Sequence, residues 1–287
     1  MQVRMPKIDY SNVRPDWAPN REFAHDRNAS STIPTYVEPY LIKVMQRAKG
    51  ALPAYHVRLH QEIDWFIAQE SQHFRQHNTF NRRIREAGYP GIEPFEERLK
   101  QDYVEFLDKR SLKFNIAYSE GFESLGPPAA ALWFEHSDAF IAGADPEAVA
   151  LWKWHMAEEF EHRDVCYRLF RTLYAQGLWG RFWNGWLYRV YGFARAVTHL
   201  GAYSKAVRTY LIKTDQAKMT PEERAQSQRN LDAVSALVRR NMLPALLKVL
   251  SPFYDPAKKP SPRGLEDYLA RFEKGGDMGL GAAVTPS

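Results

Sequence analysis

Apolar positions recur three and four residues apart through most of the chain, and nowhere do they alternate over a strand's length between hairpin turns. The pattern predicts helices separated by Pro and Gly breaks. Residues 35–49 form one, with Pro39 in its opening turn, where proline is tolerated, and Gly50 and Pro53 ending it. A long helix is expected from Ala54 to Ala87, stopping at Gly88-Tyr89-Pro90, and another from Pro94 to Leu125, stopping before Gly126-Pro127-Pro128. A short apolar helix covers Ala129 to Ile141. Asp145-Pro146-Glu147 reads as an N-cap followed by a first-turn proline, opening a helix that reaches Ala175. Gly177 to Lys213 is aromatic, basic and mostly helical. Thr220-Pro221-Glu222-Glu223 opens the last long helix, to Leu250, and a short one follows at Leu265 to Phe272.

The fold class that follows is all-α: a helical bundle with additional C-terminal helices. Residues 1–34, with Pro6, Pro15, Pro19 and Pro34 and little periodicity, read as an extended arm on that bundle. Residues 35–250 form the helical domain, with an aromatic-rich extension at 177–213. Residues 251–287 read as a Pro/Gly-rich tail whose Gly/Ala end is loose.

Two helices carry the same short pattern: Glu70-Ser71-Gln72-His73 and Glu159-Phe160-Glu161-His162. Residues three apart share a helix face, so each presents one carboxylate and one imidazole in one direction. Two such helices face to face surround one point with two of each. Bundles that hold two metal ions add a Glu from each of two further helices. Glu38 in the first helix and Glu123 near the end of the third stand in those places, with Glu120 one turn before Glu123. His155, four before Glu159 and seven before His162, lies on the same stripe as a third histidine ligand. His77, four after His73, is a candidate spare ligand or supporting donor, and Glu120 a candidate supporting carboxylate. Both patterns sit among apolar residues such as Ile63, Phe66, Trp154 and Val165, where ionisable groups need a partner or a metal. Glu158 and Glu161 point away from Glu159 on the wheel and are expected in solvent or beside Arg163.

From Glu38 to Pro256 the chain resembles a bacterial family labelled "predicted metal-dependent hydrolase", through Gln69-Glu70-Ser71-Gln72-His73 with His77, and Trp154-His155-Met156-Ala157-Glu158-Glu159-Phe160-Glu161-His162-Arg163. The His155, Glu159 and His162 stripe is also similar to that of di-iron arylamine N-oxygenases. The resemblance implies a ferritin-like fold and carries over Glu38, Glu70, His73, Glu123, His155, Glu159 and His162 as ligands to two ions, iron first, with manganese or zinc as alternatives. Two departures from the family pattern are Ser124, where relatives tend to carry His, and Arg168, where an acidic residue is expected.

Neither a His-Glu-x-x-His zinc helix nor a Gly-x-Ser-x-Gly elbow is present. Carboxylate-rich sites in helical bundles suit redox-active iron or manganese. The expected activity is therefore oxidation of a hydrophobic small molecule with O2 and an electron donor. A two-metal hydrolase is the alternative, and a non-catalytic metal-binding bundle the second. No catalytic residue beyond the metal site and no organic cofactor are expected.

Composition narrows this only a little. One cysteine, Cys166, excludes an intrachain disulfide and any multi-cysteine metal site. The net charge of +5 comes without zinc-finger spacing or an RNA-binding aromatic box, so no nucleic-acid partner is expected. The start of the chain lacks the apolar core of a secretory signal, and a cytoplasmic location is expected. Three Trp with interleaved Arg between Leu178 and Arg195 read first as cover for the bundle, with a membrane-peripheral contact, the cover of a substrate tunnel and a homodimer seam as alternatives.

Overall fold

Asn20 opens the first helix by accepting the Phe23 amide with its side chain, and α1 runs over Arg21–Ser31. This corrects the expectation that residues 1–34 are extended throughout. The helix left no apolar stripe because its buried face is polar: Glu22, His25, Asp26, Arg27 and Asn28 are all buried. Their partners come from far along the chain. Asp26 pairs with Arg208 at 2.7 Å, and His25 meets Asp215 at 2.8 Å.

The computed structural model describes residues 1–273, and every regular element among them is helical. α2 (Pro34–Ala51) begins at Pro34, so Pro39 falls in its interior rather than its opening turn and removes one helical hydrogen bond. α3 (Val57–Glu86) buries one stripe through Ile63, Phe66, Glu70, His73, His77 and Phe80. The single helix expected at 94–125 is two, α4 (Glu93–Lys109) and α5 (Leu112–Glu123). Ser111 turns extended and caps the Phe114 amide, while Asn115 Nδ2 donates to the Phe106, Arg110 and Ser111 carbonyls at the break.

α6 (Gly126–Ala131), a π-helical turn at Leu132–His136 and α7 (Asp138–Ile141) take the place of the predicted helix at 129–141. Asp145 caps α8 (Pro146–Glu161) as its sequence indicates. That helix does not reach Ala175: the chain breaks after Glu161 and resumes as α9 (Val165–Tyr174), with no Gly or Pro to mark the break. α10 (Gly177–Phe182), a π-helical turn at Trp183–Tyr188 and α11 (Arg189–Gln216) follow. A capping box of Thr220 and Glu223 opens α12 (Pro221–Asn241), and the chain restarts as α13 (Leu243–Val249) with Pro244 in its first turn. α14 (Leu265–Glu273) closes the described chain, and the expected loose Gly/Ala end lies outside the described residues.

α2 packs along α3, α5 lies between α9 and α11, and α6 sits against α8. Four helices of this arrangement, α2, α3, α5 and α8, turn ionisable side chains toward one another. α11 closes over α5 at two glycines, Gly121 and Gly192.

Asp215 near the end of α11 ties that helix to α1 and to the loop after α3. It accepts hydrogen bonds from Tyr89 at 2.5 Å and His25 at 2.8 Å. Burial raises its carboxyl, but the His25 and Tyr89 hydrogen bonds outweigh it and bring it down to about 2. A carboxyl held below its unfolded value, about 4, adds stability that is present above that value and lost as pH falls through the folded one. Asp215→Asn is expected to flatten the decline in stability between about pH 5 and pH 2. Urea unfolding across that range checks it, and an undiminished slope in the variant counts against this tie.

Candidate metal centre

Glu38 comes from the second turn of α2, Glu70 and His73 from α3, and His155 and Glu159 from α8. His162 stands one residue past the end of α8, at the break the periodicity did not show. The structure brings these six together in two overlapping groups. In one, ligand atoms of Glu38, His73, His155 and Glu159 all lie within 4.8 Å of one another; in the other, those of Glu70, His73, Glu159 and His162 do. His73 and Glu159 belong to both. None of the six is more than 3% exposed.

The distances show which atoms face inward. His155 Nε2 lies 3.0 Å from Glu159 Oε1 and 3.3 Å from Glu38 Oε1. His162 Nε2 lies 3.2 Å from Glu70 Oε1 and 3.7 Å from Glu159 Oε1. His73 turns Nδ1 inward, 3.7 Å from Glu159 Oε1 and 4.0 Å from Glu70 Oε2.

Each ring's other nitrogen has an acceptor behind it. His73 Nε2–H donates to Glu158 at 3.0 Å, and His162 Nδ1–H donates to Glu123 at 3.0 Å. His155 Nδ1–H donates to His77 Nε2 at 2.6 Å. His77 Nδ1–H then donates to Ser31 Oγ at 2.7 Å, whose hydroxyl donates to Asn81 Oδ1 at 2.7 Å. Burial disfavours charge on these rings, but Glu159 and Glu38 raise His155 to about 10, and Glu159 and Glu123 raise His162 to about 9; a cation in place of the inner proton would leave each ring neutral with a lone pair inward, the form a metal ligand needs.

Glu123 stands outside both groups, behind His162, rather than beside the other candidate ligands. Glu120 is further away still: Ser124 Oγ donates to it at 3.1 Å and the buried Arg189 at 3.4 Å. Ser124, one of the two departures from the family pattern, thus supports Glu120. Arg168, the other, pairs with Asp164 at 2.7 Å and Glu62 at 2.5 Å. His77 is a donor in the chain behind His155, not a member of either group.

Three contributors were not foreseen. Glu158 is buried and Glu161 only partly exposed, and Arg4 rather than Arg163 is their ion-pair partner. Both are held by Arg4 from the N-terminal segment, at 3.1 and 2.8 Å, and Gln69 also reaches Glu161 at 2.8 Å. No local pattern links Arg4 to α8; only the fold does. Gly126 is the third. A Cβ there would stand 3.2 Å from Glu159 Oε2, so the missing side chain leaves room for that carboxylate.

The electrostatics separate outer carboxylates from inner ones. Glu158 and Glu161 have Arg4, and Glu120 has Arg189. The ion-pair partners of Glu38, Glu70, Glu123 and Glu159 are imidazoles. Burial pushes the Glu38 and Glu123 carboxyls up to about 7 and Glu70 well above its ordinary value. At Glu159 the facing His162 and His155 outweigh burial and hold the carboxyl low. Both oxygens of Glu38 and of Glu70, Glu123 Oε1, His73 Nδ1 and His162 Nε2 are buried without a hydrogen-bond partner. Buried acceptors rarely go unmatched, and this many converging on one spot fit cations in both groups.

A family model described as "Predicted metal-dependent hydrolase" matches residues 2–259. Comparison with curated proteins and with solved structures returns no match.

Proposed function

The chain belongs to the family of predicted metal-dependent hydrolases, and from that premise we propose an enzyme that works through two metal ions held by Glu38, Glu70, His73, His155, Glu159 and His162. The observation that carries this is the three imidazoles, each with its outer nitrogen bonded and its inner nitrogen turned onto buried carboxylates. Glu38, Glu70 and Glu159 at the centre, with Glu123 behind His162, give four carboxylates to balance two divalent cations. Helical bundles that hold two metal ions through Glu-x-x-His pairs and further Glu residues support the same assignment.

For the reaction we propose oxidation of a hydrophobic small molecule by O2 at two iron ions, with an external electron donor. Bound iron would supply the electrons and the O2 affinity that no side chain here has. The chain's own groups do the rest. Phe66 and Trp154 pack edge-on against His162 and His73, at 4.7 and 4.9 Å, and keep water from the rings. Glu158, His77 and Glu123 hold the protons on the outer nitrogens and so fix the three ring orientations. Burial raises the Glu158 carboxyl to about 7, and the Arg4 ion pair works against that rise. The enclosed, carboxylate-rich setting favours oxidation. The description of the family favours the second reading, hydrolysis by a metal-bound hydroxide with zinc or manganese.

One experiment separates them. The purified chain is expected to carry about two metal ions, as paired-carboxylate bundles do. Loaded with ferrous iron without air, it is expected to develop a transient visible band on mixing with O2. Zinc or manganese in the isolated protein, no O2 response, and ester cleavage that needs neither O2 nor reductant would establish hydrolysis instead. An absence of bound metal after loading would remove both.

A further inference from the structure

We propose that the face built by α10, the turn after it and α13 docks the protein on an anionic membrane surface. The proposal is independent of the reaction at the metal pair. α10 contains no buried residue. Leu178 is 81% exposed and Trp179 72%, and Phe182 and Trp183 join them on the outside. The second half of the same aromatic stretch does cover the bundle: Gly185, Arg189, Gly192 and Phe193 are buried. The segment is therefore split between a buried half and a half that stays exposed among the described residues.

A second element continues the exposed half. Leu243, Leu247 and Leu250 of α13 and its C-terminal flank are exposed, and Phe253 just beyond is 91% exposed. Hydrogen bonding and ring packing join the two. The Phe182 ring packs on Trp186 at 5.4 Å, and Trp186 Nε1–H donates to the Leu250 carbonyl at 2.9 Å. Two segments about sixty residues apart thus present Trp, Leu and Phe side by side, a larger apolar display than scattered surface residues make.

Charge decides the occupant. No Asp or Glu occurs anywhere in residues 165–214, nor in residues 233–254. Arg181 and Lys248 lie exposed within the two segments themselves. Trp and Arg side by side, in two segments without Asp or Glu, match the boundary between anionic headgroups and acyl chains. A second copy docked by two-fold symmetry would set the same basic residues against each other with no carboxylate to offset them. No helix among the described residues is long and apolar enough to cross a membrane, so the contact is a surface one.

The test uses the full chain and vesicles of phosphatidylcholine, with and without phosphatidylglycerol. Wild type is expected to float with the phosphatidylglycerol vesicles, to release at high salt, and to shift its indole emission to the blue on binding. A Trp179→Ser/Trp183→Ser variant is expected to lose that binding. Arg181→Glu/Lys248→Glu is expected to bind at least about tenfold more weakly. Circular dichroism and metal content matching wild type show that the variants fold. The proposal is overturned if wild type floats with neither vesicle, or if both variants bind as wild type does. It is equally overturned if wild type dimerises, the Trp variant is monomeric and vesicles bind neither.

Discussion

Glu159→Ala is expected to abolish binding of both metal ions, whereas Glu38→Ala is expected to lose about one of the two. The difference follows from geometry. Glu159 Oε1 lies 3.0 Å from His155 Nε2 and 3.7 Å from both His73 Nδ1 and His162 Nε2, so one carboxylate serves both groups. Glu38 belongs to one group only. Stability moves in the same sense. Burial disfavours the Glu159 carboxylate, but His162 and His155 outweigh it and hold the group below its ordinary value, so its charge adds to the stability of the metal-free fold. Metal-free Glu159→Gln is therefore expected to unfold below metal-free wild type, and the loaded wild type well above both. Elemental analysis and thermal unfolding with and without chelator test this. Two metals per chain in Glu159→Ala would defeat the assignment of this residue as the shared ligand.

Gly192→Ala is expected to be the most damaging glycine-to-alanine change among the described residues. A Cβ on Gly192 would fall 2.3 Å from the Ala117 carbonyl oxygen and 2.5 Å from its carbon. Its counterpart Gly121 would meet the Phe193 Cα at 2.6 Å. All three are backbone atoms, so no side chain can swing aside, and α5 and α11 must separate. Overpacking of this kind costs on the order of 3 kcal/mol. For a chain of this size that lowers Tm by roughly 6–12 °C. Glu123, two residues after Gly121 on the same helix, would move with α5 away from His162 Nδ1, so metal affinity is expected to fall as well. Gly201 on α11 is the control. Its Cβ meets nothing within 4 Å, and Gly201→Ala is expected to stabilise by about 0.5–1 kcal/mol. A Gly192→Ala chain as stable as wild type would show that the crossing is looser than the distances state.

The local rules worked where a local cause sufficed. Asp145, Thr220 and the Pro residues after them cap their helices as their residue types require. The breaks at 110–111 and 162–164 carry no Gly or Pro, so periodicity ran through them. α1 was missed for the converse reason: its buried face is polar, and its stability rests on partners such as Arg208 and Asp215 that are remote in the chain.

At the metal centre the same division holds. The spacing of Glu70 with His73, and of His155, Glu159 and His162, determined that these groups share helix faces, because a helix repeats every 3.6 residues. Spacing alone did not determine which nitrogen of each ring faces inward. Glu158, His77 and Glu123 decide that, and each reaches its histidine from a different helix. Glu158 shows the limit most clearly: it was expected in solvent, and it stands buried behind His73. A carboxylate's role depends on which atom it meets across the bundle, and that is set by how helices pack, not by the pattern within any one of them.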